Sequence, residues 1–466
     1  MKNNLSNFKY SIISQAIVIL FGIIRALLIP ILLSVTEFGY WQIYLLYAGF
    51  VGIFTFGFND GIYLRYGSKH QHELPWGKLR GAFSFYLLLL FTISLILILV
   101  LELLSSNSNK VTAFIYVIVN VGLMGASSLF LFLFQTTNQI KKYSIYLLVD
   151  KLVFIILLFL AFSYSNVNYE LLMIIDCFSK FILVVAMTLN CRRDLFGVVA
   201  GFRASYQEFN KNICVGIKLM LANLASMLVM NMSRFFVEKF YTLEEFSTFS
   251  FGISLTNIFL MAMNGVAVAL YPFLKRISEE NYNKVYSELS DATALFLFVA
   301  LFAYYPIYYL IWVKLTDYAE VLTYFNVLYV VALLQIKMNV VINTFYKVLR
   351  KEKALLKANV VCVAIGFSLS SLVVFFDETL ELMALALAAT IIFRVYRSDF
   401  FICNILKDYK FEKFILELAV FGSFILATKY LPIACSFSLL VLFTIVYFYI
   451  HKNKLEEWLC IFKGSK

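Results

Sequence analysis

Charged side chains interrupt long apolar stretches of this chain at Arg25, Asp176, Lys180, Lys218, Arg234, Lys337, Arg394 and Arg397. A charge at the centre of a membrane helix costs about 2.5–3.5 kcal/mol on insertion scales, so such residues face a cavity, a partner or the bilayer surface. Arg25 is the deepest, with no acid near it and Pro30 five residues on. A guanidinium there suits forked contacts with phosphate oxygens, and the plainer role is a bond to a carbonyl of a neighbouring helix. Arg234 is similarly deep, but Glu238 follows one turn later and offers an i,i+4 ion pair. Lys180 follows Asp176 in the favourable acid-first order, which leaves a neutralised structural pair and a ligand site equally open. Arg394 has no acid in the turn before it, and Asp399 comes five residues after. Lys218, Lys337 and Arg397 lie near the ends of their apolar stretches, where long basic side chains snorkel to the interface. Asp60 and Asp150 read as helix-end acids near the surface, with Asp150 pairing with Lys151 or capping a helix.

The sum of these charges carries more than any member. Cations are many, and Asp176 is the one deep acid. A cavity for cationic cargo needs the opposite sign, so convergence of these side chains would favour an anion such as a phosphate. His70 and His72 have no metal partner at useful spacing. The seven cysteines are scattered and read as small hydrophobes. No phosphate-binding glycine loop, nucleotide fingerprint or zinc motif is present, so no cofactor and no ATP-driven pump are expected.

The elements that position these residues are helices in a bilayer. The 466 residues are 62% hydrophobic and 14% charged, with a mean hydropathy of +0.85, against roughly a quarter charged in a globular domain. The apolar runs give an all-α polytopic membrane protein of about 14 spans, at 9–34, 39–61, 80–101, 113–135, 143–163, 169–190, 213–240, 246–271, 291–313, 320–344, 355–376, 380–402, 412–430 and 432–450. The first run is too long for a signal peptide and carries Arg25 and Pro30, so it is expected to stay as a helix. With both termini cytoplasmic, most Lys and Arg fall in inner segments, including the "KVLRKEKALLK" run from Lys347 to Lys357. The outer loops keep only Lys110, Lys239, Lys314 and Lys429, as the positive-inside rule requires. The net charge of +11 therefore reports orientation in the membrane, not a nucleic-acid partner.

A cytoplasmic link at 191–212 divides the chain. Residues 1–190 form an expected first bundle of six helices, 213–402 a second, and 403–466 two further helices with a tail. A shift of about 208 residues places Glu37-Phe38 on Glu245-Phe246, Gly57 on Gly265 and Tyr63 on Tyr271, with Arg25 beside Arg234. That is the form expected of two parallel six-helix halves.

The stretch from Leu27 to Lys69 contains the Pro30 helix, "EFGYWQ" at Glu37 to Gln42 and "GFNDGIYLRYG" at Gly57 to Gly67. It resembles the start of the Wzx-type polysaccharide flippases, in the superfamily that also holds multidrug and toxin extruders and lipid II flippases. The resemblance implies two bundles that rock about a central cavity in a bacterial inner membrane. Its cargo would be an undecaprenyl-pyrophosphate-linked oligosaccharide, O-antigen or similar, handed on to other polysaccharide assembly proteins. Arg25 matches the basic position such flippases often have in their first helix, and Lys180, Arg234 and Arg394 join it as substrate-binding candidates on charge alone. A lipid II flippase or drug antiporter of the same fold is the alternative. A membrane glycosyltransferase or polymerase fits less well, because the outer loops are too short to build a catalytic site.

Overall fold

The computed structural model describes residues 17–450 except 68, 105–107, 165–166, 275–276, 377–378 and 408–410. The start of the first expected span, the basic Lys2 and Lys9 and the tail from 451 lie outside the described residues. Among those described, every regular element is helical. Each expected span has a counterpart: α1 (Ile17–Leu32), α2 (Val35–Gly49, continued as Phe58–Tyr66), α3 (Trp76–Leu104), α4 (Ser108–Thr136), α5 (Ile140–Tyr164), α6 (Tyr169–Asn190) and α7 (Phe202–Phe240). Then follow α8 (Leu243–Leu274), α9 (Tyr282–Ala300 with Tyr304–Lys314), α10 (Phe325–Val348), α11 (Glu352–Phe376), α12 (Leu380–Leu406), α13 (Phe411–Tyr430) and α14 (Ile433–Ile450). Eight of these helices are long and apolar enough to cross a membrane unaided, and the broken α2 adds a ninth.

The repeat is visible at the starts of α2 and α8. The Ser34 hydroxyl accepts from the Glu37 backbone N–H while the Ser34 backbone N–H donates to Glu37 Oε2, each at 3.3 Å. Thr242 and Glu245, at the same shift of 208, repeat this box at 3.3 and 2.8 Å. Each helix thereby satisfies two backbone donors that would otherwise be orphaned. Phe38 and Phe246, the next residues of the two repeats, are both buried.

Two helices depart from regular geometry near the candidate residues. In α1, Ile24–Leu28 forms a π-helical turn that contains Arg25. Pro30 follows at the start of the next turn, and its missing N–H favours such a local widening. In α2 the chain leaves the helix at Phe50, passes through Phe56 (φ 48°) and Gly57 (φ 75°) in the left-handed region, and resumes with a 57° bend.

The resumed half of α2 packs on α7 almost backbone to backbone. A Cβ on Gly61 would stand 1.9 Å from the Asn212 carbonyl oxygen, and one on Gly216 would stand 1.9 Å from the Gly57 carbonyl oxygen. Gly57 and Gly61 thus form a small-residue helix contact, with van der Waals packing supplying the attraction. The tight contact also explains where α7 begins. It starts at Phe202, inside the polar segment 191–212 that hydropathy marks as a link. Ser205, Glu208 and Asn212 are buried against neighbours rather than solvated.

α13 is pinned to α10 by Asn326, whose amide donates to the Ile425 carbonyl at 3.2 Å and to Thr428 Oγ1 at 3.1 Å. α10 is itself buried over nearly its whole length, so the second half of the chain is built around it.

Candidate functional site

Arg25 projects from its π-turn into a cage of three rings. Its guanidinium carbon lies 5.1 Å from the Phe21 centroid, 5.2 Å from Trp41 and 5.8 Å from Phe154. Each such contact contributes about 0.5–2 kcal/mol, more as water is excluded. Phe21 carries a second cation on its ring, Lys151 Nζ at 4.9 Å, which is paired with Asp150 at 2.7 Å. Both residues of that pair lie mid-way along α5, not at a helix end. Asp176 lies within electrostatic reach of Arg25, and its carboxylate accepts from Lys180 and Tyr44. Asn120 donates to the same Tyr44 hydroxyl at 2.7 Å. Arg25, Lys180 and Asp176 therefore belong to one cluster formed by α1, α2, α4, α5 and α6.

Two donors in this cluster have no acceptor. Arg25 Nη2 and Trp41 Nε1 are both buried without a hydrogen-bond partner among the described residues. Buried donors are seldom left this way, and each calls for a ligand or another explanation. Trp41 has no exposed surface and stacks on Tyr44 at 5.3 Å, so its indole N–H is held in place.

Arg234 sits on the other side of α2. Its Nη2 donates to the Gln42 side chain at 3.0 Å, and its Nε donates to Ser250 Oγ at 3.2 Å. Gln42 in turn donates to Ser254 of α8 at 3.0 Å. The two arginines that fall side by side under the 208-residue shift thus meet adjacent residues of "EFGYWQ": Trp41 faces Arg25 and Gln42 faces Arg234. The Arg234–Glu238 pair that the spacing offered is not formed. Glu238 instead binds Lys110 at 2.9 Å and the Tyr47 hydroxyl at 3.1 Å, both from the first half of the chain.

Arg394 is apart from these groups. It has no exposed surface, and its nitrogens donate to Asn359 at 3.0 Å, Gln335 at 3.4 Å and Ser226 at 2.7 Å. It links α7, α10, α11 and α12 through neutral acceptors. Lys218 and Arg397 are exposed, in keeping with snorkelling.

Lys337 corrects the sequence reading. It is 3% exposed and bonds Asp399 and Glu417, each at 2.8 Å, while Tyr286 donates to Asp399. The triad joins α10, α12 and α13. Asp176 is accordingly not the one deep acid, because Asp399 is buried too and Glu417 is half-buried beside it. The cation excess survives in a narrower form: Arg25, Arg234 and Arg394 have no carboxylate partner among the described residues, whereas the deep lysines do.

Residues 5–278 match the family model described as polysaccharide biosynthesis protein. The chain belongs to that family. The match spans Arg25, Trp41, Asp176 and Arg234 and runs past the end of α8, so it covers the whole arginine arrangement around α2. No curated relative matches the chain. Among solved structures, a MATE transporter from Vibrio cholerae aligns with a TM-score of 0.55 at 14% identity, over 88% of this chain and 99% of that one. A MOP superfamily transporter from Pyrococcus furiosus aligns with a TM-score of 0.52 at 10% identity, over 86% of this chain and 94% of that one. The latter is described as having a binding pocket of reverse polarity. These likenesses establish the fold. With the family they place the chain among membrane transporters and flippases rather than enzymes, as the resemblance of Leu27 to Lys69 implied.

Proposed function

We propose that this protein flips an undecaprenyl-pyrophosphate-linked oligosaccharide repeat unit, O-antigen or similar, from the cytoplasmic to the periplasmic leaflet of a bacterial inner membrane. Both termini would then face the cytoplasm. Residues 1–190 and 213–402 would act as the two rocking bundles, and the segment from 403 as an addition to the second. The observation that carries this reading is the pair of buried, acceptor-less donors at Arg25 Nη2 and Trp41 Nε1. An anionic oxygen of a pyrophosphate supplies what both lack, and a guanidinium binds it with a forked, charge-assisted bond. A cationic drug supplies no such acceptor.

In this reading Arg25 makes the first contact with the head group and Arg234 the corresponding contact from the second half. Lys180 and Arg394 add fixed positive charge in the walls. Ion coupling through Asp176 would require Lys180 and Tyr44 to release it. Deletion of the gene in its own host, followed by a membrane-impermeant sugar probe on intact and opened cells, tests the proposal. Accumulation of the lipid-linked glycan on the cytoplasmic leaflet is the expected result. Unchanged surface polysaccharide with altered drug tolerance would contradict it.

A further inference from the structure

The segment between α6 and α7 has its backbone tied down from the protein side. Arg80 of α3 donates through Nε to the Asp194 carbonyl at 2.7 Å and through Nη1 to the Val198 carbonyl at 3.0 Å. The Ala200 N–H donates to the Gly77 carbonyl at 2.8 Å, and Ser205 Oγ donates to the Ala200 carbonyl at 3.0 Å. A stretch whose polar backbone groups find partners within the protein does not need water on its other side. On that other side stand large apolar groups. Phe196, Val198 and Phe202 are 70, 85 and 77% exposed, and Val199 is exposed beside them. An apolar patch of this kind marks contact with a membrane or a partner.

Two further observations choose the membrane. The first is depth. Phe202 meets Phe85 of α3 edge to face at 5.2 Å, and Tyr206 meets the same ring at 5.8 Å. Phe85 lies within the apolar run 80–101, whose Leu87, Leu88 and Phe91 are exposed. The patch therefore continues the lipid-facing surface of α3, and Tyr206 is of the type that collects at the bilayer interface. The second is charge. Arg192, Arg193 and Arg203 are exposed and have no carboxylate partner among the described residues. Asp194, the one acid between them, is held by Gln71 at 2.5 Å.

We propose that this segment anchors the chain in an anionic lipid surface. Phe196, Val198, Val199 and Phe202 enter the boundary between head groups and acyl chains, and the three arginines meet the phosphates of anionic lipids. Apolar groups flanked by unpaired cations are what such a surface binds, by burial and by opposite charge together. Because Arg80 straps the segment to α3, the join between the two halves of the chain is held at the bilayer surface. The leaflet is the cytoplasmic one in the proposed orientation; the docking itself does not depend on the flippase reading.

The test puts a reporter in the patch. Full-length Phe196→Trp is reconstituted in bilayers containing bromine-labelled lipids as contact quenchers, and its emission is taken as the difference from the same protein with Phe196. Val198→Trp is the second reporter if Phe196→Trp does not fold. Quenching is expected in a fully brominated bilayer. At low mole fraction, brominated phosphatidylglycerol should quench roughly fivefold more than brominated phosphatidylcholine, the worth of one arginine at an anionic surface. That preference should fall to near parity in Arg192→Ala/Arg193→Ala/Arg203→Ala, whose exposed side chains leave the packing intact. Emission quenched by neither lipid, with the patch against water or a second copy of the chain, would overturn the proposal. So would equal quenching by the two lipids before the arginines are replaced, or a preference that survives their replacement. None of these readings involves transport, so failure of the flippase assignment would show separately.

Discussion

Glu208 and Glu238 stand near opposite ends of one helix, α7, and each is held by a basic residue and a tyrosine from the first half of the chain. Glu208 accepts from Arg65 and Tyr66, both at 2.6 Å. Glu238 accepts from Lys110 at 2.9 Å and Tyr47 at 3.1 Å. At 1.5 Å per residue the two acids are roughly 45 Å apart, about the full depth of a bilayer with its head groups. A helix latched at both ends is what the proposed alternating opening would need, because either latch could be released while the other holds.

Neutralising one latch should therefore loosen one face only. Glu238→Gln keeps the shape and removes the charge, which weakens a partly buried, charge-assisted contact by about 1–3 kcal/mol. Hydrogen exchange is expected to rise about tenfold in the first half of α2, around Tyr47, and to stay unchanged over 58–66. Glu208→Gln should give the reverse pattern. Equal rises at both ends in either variant would mean that the acids act on overall stability, not as separate latches.

The crossing of α2 and α7 sets a steric limit. A methyl group on Gly61 would collide with the backbone of Asn212, which cannot rotate away as a side chain could. Gly61→Ala is expected to lower the thermal midpoint by several degrees, in line with an overpacking cost of about 1–3 kcal/mol. Gly52→Ala, where nothing lies within 4 Å of an added Cβ, should change stability far less. Thermal unfolding of both variants in one detergent checks the pair.

Lys337 neutralises two acids at once. Lys337→Met leaves the buried Asp399 and the half-buried Glu417 without their cation, a loss of about 3–5 kcal/mol for breaking a buried ion pair from one side. Adding Asp399→Asn and Glu417→Gln to Lys337→Met should recover much of it, because the buried charge is then removed. Protein abundance in membranes and thermal unfolding are the readouts. A triple variant no better than the single one would mean that Lys337 acts through packing and not charge.

The sequence disclosed the helices and concealed the partners. Each span could be drawn because a run such as Tyr169 to Asn190 must bury its backbone polar groups within itself when water is absent. The capping boxes at Ser34 and Thr242 were legible as the Glu37 and Glu245 coincidence, since the box is a local motif. Lys337 was misread because its acids lie far along the chain, at Asp399 and Glu417, and a helix end in sequence need not be a helix end in depth. The i,i+4 pair that Glu238 offered to Arg234 is not formed for a related reason: that partner is the nearest in sequence, but α4 delivers Lys110 to the same carboxylate. Asp60 does stand in the first turn of a helix, but that turn follows a break inside α2 and is buried rather than at the surface. Phe56 adopts a left-handed conformation that ordinary residues rarely take, so the signal lay in tertiary packing. The cage around Arg25 draws on Phe21, Trp41 and Phe154 from three helices, and only Phe21, one turn away on α1, was within sequence reach.

The most direct test of the account is flipping of a fluorescent pyrophosphate-linked polyprenyl oligosaccharide in proteoliposomes containing the wild-type chain, Arg25→Ala or Arg25→Lys. The account predicts that Arg25→Ala inserts at normal abundance and with unchanged stability but loses flipping by at least tenfold, since about 1.4 kcal/mol is a factor of ten. Arg25→Lys should retain part of the rate, as a charge without the planar fork. Wild-type flipping by a well-folded Arg25→Ala protein would contradict the anion-binding role assigned to Arg25 and Trp41.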